Sequence, residues 1–188
     1  MSNYIFEKIN KCPIIIFSGQ RTGSTALLHD IGEFFSNKST FTIFNEPHHN
    51  EKNFLDFLNY TKTSNHYAVK FHAFYLNYYK PLFSYLKDKD YFSIRIRRKQ
   101  VFNQIASHYI SRSRQIWSYS KLDNNDESYT NDEVEIIDSK LRETIRHSLS
   151  RNNLLDNLDY KIDLDVFYED FTFYNKSLKK NTATKKLQ

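Results

Sequence analysis

A chain of 188 residues is long enough to bury a core of its own, and it reads as one domain over residues 1–170 followed by a Lys-rich tail at 171–188. Apolar residues at 39% and charged residues at 26% are globular proportions, no apolar run is long enough to cross a bilayer, and MSNYIFEKINKCP lacks a signal-peptide core; these point to a cytoplasmic protein. A net charge of +5 favours an anionic ligand, and a single Cys12 excludes an internal disulfide and a thiolate metal site.

Residues 13–17, PIIIF, form a continuous apolar run between turn residues, the pattern of a strand buried on both faces. Leu27, Leu28, Ile31, Phe34 and Phe35 recur at helical spacing over 24–35. A second strand is expected at 41–44, a helix at 51–60, a third strand at 67–71, a helix at 81–86 and a fourth strand at 91–96. The helix that follows, 99–112, carries two apolar rows: Val101, Ile105 and Tyr109, then Phe102, Ala106 and Ile110. Residues 117–131 read as a polar loop. Thr130 and Glu133 then make a capping box for a helix with Val134, Ile137, Leu141, Ile145 and Leu149 on one face. A last strand falls at 163–168. Strands alternating with helices predict an α/β protein: a three-layer, P-loop-like fold with a mainly parallel central sheet.

Chemistry concentrates where the first strand meets the first helix, in SGQRTGST. Such a turn points backbone N–H groups outward at the positive end of the helix dipole, which makes a seat for an anion. Gly19 and Gly23 let the backbone approach a ligand, Thr22, Ser24 and Thr25 bring hydroxyls, and Arg21 offers a forked pair of donors. The Gly-Lys-Ser/Thr of a nucleotide-hydrolysing P-loop is absent. The strand at 91–96 runs into Arg97-Arg98 rather than into an Asp that would hold Mg²⁺. A basic strand end suits a second phosphate, and Ser107 on the following helix is placed to share it. The expected ligand therefore carries two separated anionic groups and needs no metal.

With both motifs in order, the chain resembles the sulfotransferases that use 3′-phosphoadenosine 5′-phosphosulfate (PAPS), nearest the short bacterial and viral carbohydrate-type members. SGQRTGST is similar to their 5′-phosphosulfate loop, and RKQVFNQIAS to their 3′-phosphate motif of an Arg and a helical Ser. FNEP, the Gln before Ser107, Trp117 and the Tyr168-Glu169-Asp170 triplet also resemble family features, so the likeness spans residues 13–170. The Arg–Ser spacing is one residue longer than in the eukaryotic cytosolic enzymes, which leaves Arg97, Arg98 and Lys99 as candidates for the clamp. No Arg-Lys-Gly element stands near the C-terminus, where the Lys-rich tail is the available substitute.

The resemblance implies transfer of a sulfuryl group from PAPS to a hydroxyl of a carbohydrate or small molecule. Nucleic acid is not an expected partner. Arg21, Thr22, Gly23, Ser24, Thr25 and Gly19 would hold the 5′ end, and Arg98 and Ser107 the 3′-phosphate. Glu46, after the second strand, is the first candidate for general base, with His48 and His49 as alternatives. Lys70 and His72 flank Phe71 at the third strand end, where either could steady the leaving phosphate or touch the acceptor. Trp117, Tyr75, Tyr78 and Tyr79 are candidates to stack on adenine or a sugar. The competing readings are a P-loop nucleotide kinase or NTPase and an inactive nucleotide-binding module.

Overall fold

The computed structural model describes residues 12–36, 41–78, 80–115 and 134–170. In chain order these hold β1 (Ile14–Ser18), α1 (Ser24–Ser36), β2 (Thr42–Asn45), a 3₁₀ turn (Pro47–His49), α2 (Glu51–Thr63) and β3 (Tyr67–His72). Then come α3 (Ala73–Tyr78), α4 (Lys80–Lys87), β4 (Phe92–Arg97), α5 (Val101–Arg114), α6 (Asp138–Asp156) and β5 (Leu164–Phe167). The polar stretch at 117–131 with Trp117, the capping box at Thr130–Glu133, Tyr79 and the tail from residue 171 lie outside the described residues.

The five strands form one sheet in the order β2-β3-β1-β4-β5, and every adjacent pair is parallel. β1 sits at the centre, which is why its sequence is apolar without alternation: all five of its residues are buried. Ile15 and Phe17 face one layer, where Phe57 of α2, Leu76 of α3, Leu86 of α4 and Leu155 of α6 close over them. Ile14 and Ile16 face the other, covered by Leu28 and Phe35 of α1. Each such side chain taken fully out of water contributes ~1.5–3 kcal/mol. Parallel pairing also brings the carboxyl ends of all five strands to one edge of the sheet. There Ser18 stands opposite His72 and Ile96, and Asn45 opposite Lys70.

Two expectations are corrected by the packing of α5 on α6. The row of Phe102, Ala106 and Ile110 does not face the core: Phe102 is 86% exposed, and α5 instead buries Gln104, Ile105, His108, Tyr109 and Ser111. The inward polar groups are tolerated because α6 answers them residue by residue. Gln104 pairs with Asn152, His108 Nδ1 meets Ser148 Oγ at 2.9 Å, and Arg112 reaches Thr144 and Glu143. The second correction is the start of α6, which is Asp138 rather than the 130–134 region. Residues 134–137 are non-helical. The Tyr109 hydroxyl holds them by donating to the Glu135 carbonyl and accepting from the Ile137 N–H, at 2.9 and 2.8 Å.

Candidate functional site

The strand-to-helix turn after β1 is shaped by local sequence. Thr22 Oγ1 donates to the Gly19 carbonyl at 3.0 Å and closes the turn, and the Gly23 carbonyl accepts the first α1 hydrogen bond from Leu27. Gly23 has φ +77°, and Arg21 takes the left-handed conformation at φ +58°, which costs a non-glycine residue roughly 1–2 kcal/mol. The result is that Arg21 swings away from the strand and toward α5, where its Nε donates to Ser107 Oγ at 2.9 Å.

A cavity of about 900 Å³ opens at the carboxyl edge of the sheet above β1. This is where open α/β sheets place their ligands. Of the residues singled out from sequence, the loop residues Arg21 to Thr25 line it with Glu46, Lys70, Arg98 and Ser107, as do His49, His72, Tyr75 and Tyr168. Gly19 lies behind the loop beside Ser18 and Gln20, and His48 is not among the lining residues. Both ring nitrogens of His48 are buried without a hydrogen-bond partner, and the ring packs 4.2 Å from Tyr75 and 5.7 Å from Phe71. Burial, with the neighbouring His49, pushes His48 down to about 4.

The three candidate cations at the end of β4 are sorted by their neighbours. Arg97 pairs with Asp165 at 2.7 Å and Asp156 at 3.2 Å, and Lys99 pairs with Asp170 at 2.6 Å. Arg98 is the one that lines the cavity. Its guanidinium stacks 4.6 Å from the Tyr168 ring, and its Nε is buried without a hydrogen-bond partner.

On the opposite wall Glu46 takes the left-handed conformation at φ +49°. Its Oε1 receives Lys70 Nζ at 2.5 Å and His72 Nε2 at 2.9 Å, and its Oε2 lies 3.2 Å from His49 Nδ1. Burial pushes the Glu46 carboxyl up, but the hydrogen bonds and charges of His72 and Lys70 outweigh it and hold the group well below the usual carboxylate range. Burial likewise lowers Lys70, partly offset by Glu46, and lowers His49. Lys70 Nζ also donates to Thr25 Oγ1 at 2.9 Å, while His72 Nδ1 meets Ser18 Oγ at 3.1 Å. A continuous chain, Ser18–His72–Glu46–Lys70–Thr25, thus leaves the chain at the start of the loop and returns at its end.

Support from α5 and α6 carried little sequence signal. Gln104 Nε2 donates to the Gln20 carbonyl at 2.7 Å and forms a reciprocal amide pair with Asn152 at 3.1 and 2.9 Å. Arg151 holds the Gln20 side chain and lies 4.8 Å over the Phe74 ring. Nothing in RNNLL marks Asn152 as the back wall of the loop; only its place opposite Gln104 does so. His72 was legible as a strand-end residue, and its register with Ser18 makes it part of the site. Comparison of the chain with family models, with curated protein sequences and with solved structures finds no match in any of the three.

Proposed function

We propose that the protein transfers a sulfuryl group from PAPS to a hydroxyl of a carbohydrate or small-molecule acceptor. The observation that supports this reading best is that Arg21 with the Ser24–Thr25 helix start and Arg98 at the end of β4 line one cavity, together with Ser107, whose hydroxyl accepts from Arg21 Nε. That arrangement suits a ligand with two separated anions, and about 900 Å³ accommodates a nucleotide with the reacting end of an acceptor.

In this reading the loop N–H groups, Ser24, Thr25 and Arg21 hold the 5′-phosphosulfate, and Arg98 and Ser107 hold the 3′-phosphate. The phosphosulfate draws Lys70 off Glu46, so the carboxylate regains affinity for a proton. The acceptor oxygen bonds to sulfur as the bond from sulfur to the 5′-phosphate oxygen breaks, and the electron pair leaves with the phosphate. The acceptor proton passes to Glu46, which the His72 Nε2–H bond holds in place. Lys70 and Arg21 balance charge developing on the leaving oxygens. His49 and Tyr75, which line the same cavity, are the residues this reading assigns to the acceptor.

The test is thermal stabilisation by adenosine 3′,5′-bisphosphate against ADP and ATP, each with and without Mg²⁺. Selective, metal-independent stabilisation by the bisphosphate is the expected result, followed by turnover of PAPS with an acceptor panel. Stabilisation by ATP with Mg²⁺ alone overturns the reading in favour of an NTPase or kinase.

A further inference from the structure

β5 ends at Phe167, and the residues after it reach across to the turn between β4 and α5. Glu169 Oε2 accepts from the Lys99 N–H at 3.0 Å, and Oε1 accepts from the Gln100 N–H at 3.2 Å. These donors belong to the start of α5, whose own N-cap residue, Gln100, supplies no side-chain cap. Glu169 therefore caps α5 from another strand, with both oxygens and with a negative charge at the positive end of the helix dipole. Burial pushes its carboxyl up, but the backbone donors and Arg98 outweigh that and leave it below the ordinary range, as a clamp that stays ionised should be.

The residue just before this clamped turn is Arg98. It has no hydrogen bond at Nε to hold it: Glu169 Oε1 is 3.9 Å from Nε, beyond bonding distance, and the guanidinium is fixed by face contact with Tyr168. Its direction is therefore set by the backbone of the turn, with the Tyr168 ring and the longer ion pair to Glu169 beside it. Its neighbours are directed away, Lys99 by Asp170 and Arg97 by Asp165. Glu169 itself does not line the cavity, so its charge stands behind Arg98 rather than in the path of a ligand.

We infer that Glu169 is a positioning residue for the second anion seat: by clamping the Lys99 and Gln100 amides it holds Arg98 toward the cavity. The choice of adenosine 3′,5′-bisphosphate as probe rests on the proposed function, whereas the clamp itself does not. Glu169→Gln keeps one acceptor and loses the other, and Glu169→Ala loses both. Both variants are expected to bind the 3′,5′-bisphosphate about tenfold or more weakly, the scale of one lost charge-assisted hydrogen bond. Binding of adenosine 5′-monophosphate, which reaches only the first loop, should stay within about twofold. A general loss of structure would weaken both ligands alike, and removal of a repulsive charge would tighten the bisphosphate; either result overturns the inference.

If the wild-type protein binds neither nucleotide, the proposed function fails and the clamp is tested with inorganic phosphate. The Arg98 Nε–H resonance should shift on phosphate addition in the wild type and not in Glu169→Gln. The Lys99 and Gln100 amides should exchange faster with solvent in that variant. An unchanged Arg98 response, with the two amides as protected as before, overturns the inference independently of the nucleotide.

Discussion

Replacing Gly23 by Ala tests whether the first loop and β5 are built against each other. At φ +77° an L side chain is strained by ~1–2 kcal/mol. A Cβ there would also lie 2.1 and 2.3 Å from two carbons of the Tyr168 ring. Carbon atoms rest at about 3.5–4.0 Å, so the ring or the loop must retreat by more than an ångström. The ring has little room to do so, because its face carries Arg98 at 4.6 Å. Overpacking of this kind costs ~1–3 kcal/mol, and the two effects together predict a loss of about 3 kcal/mol. Gly32→Ala is the control. Its Cβ meets the Ile43 Cγ2 methyl at 2.9 Å, and the helix-propensity gain of ~1 kcal/mol offsets the adjustment, so that variant should be near neutral. Urea denaturation at matched m-values reads both. A Gly23→Ala loss of only ~1–2 kcal/mol relative to Gly32→Ala, the φ strain alone, would refute the contact between loop and Tyr168.

Three further outcomes follow from the same geometry. Lys70→Met leaves Glu46 with only its histidine contacts, should cost ~2–4 kcal/mol in urea unfolding, and should weaken anion binding at the loop, read by phosphate titration. His108 is 2% exposed, and burial, then Arg151 and Arg112, push it down to about 4. Its unfolded form binds a proton near 6.5, so the stability it contributes is intact above pH 6.5 and is lost as pH falls through about 4. At roughly 1.4 kcal/mol per pH unit the loss totals ~3 kcal/mol, and His108→Gln should flatten the stability curve between those limits. Asn152→Leu breaks the amide pair behind the loop and leaves Gln104 Oε1 without that donor, for a cost of ~1–3 kcal/mol and weaker anion binding with α1 still folded, measured by denaturation and phosphate titration.

What the chain declares locally, it declares well. The unbroken IIIF run required a strand covered on both sides, and β1 is the centre of a parallel sheet for that reason. The turn chemistry of SGQRTGST, with Gly23 at positive φ, required an outward-facing helix start. Arg21, Ser24, Thr25, Lys70 and Arg98 share the cavity because they lie in the loop, at the helix start or near a strand end, and in a parallel sheet such positions share one edge, whereas Ser107 reaches it from the middle of α5. Pairing depends on groups far apart in the chain, so tertiary structure decided it. The apolar rows of α5 and α6 suggested apolar faces, but a buried Gln104 or His108 is acceptable once Asn152 or Ser148 answers it, and periodicity does not register partners 40 or more residues away. The sequence put Arg98 first and left Arg97 and Lys99 as alternatives; the acidic residues of β5 and its end direct those two elsewhere. The same applies to Glu46: its place after β2 was readable, but its low proton affinity comes from Lys70 and His72, which only the parallel register of β2 with β3 carries to it.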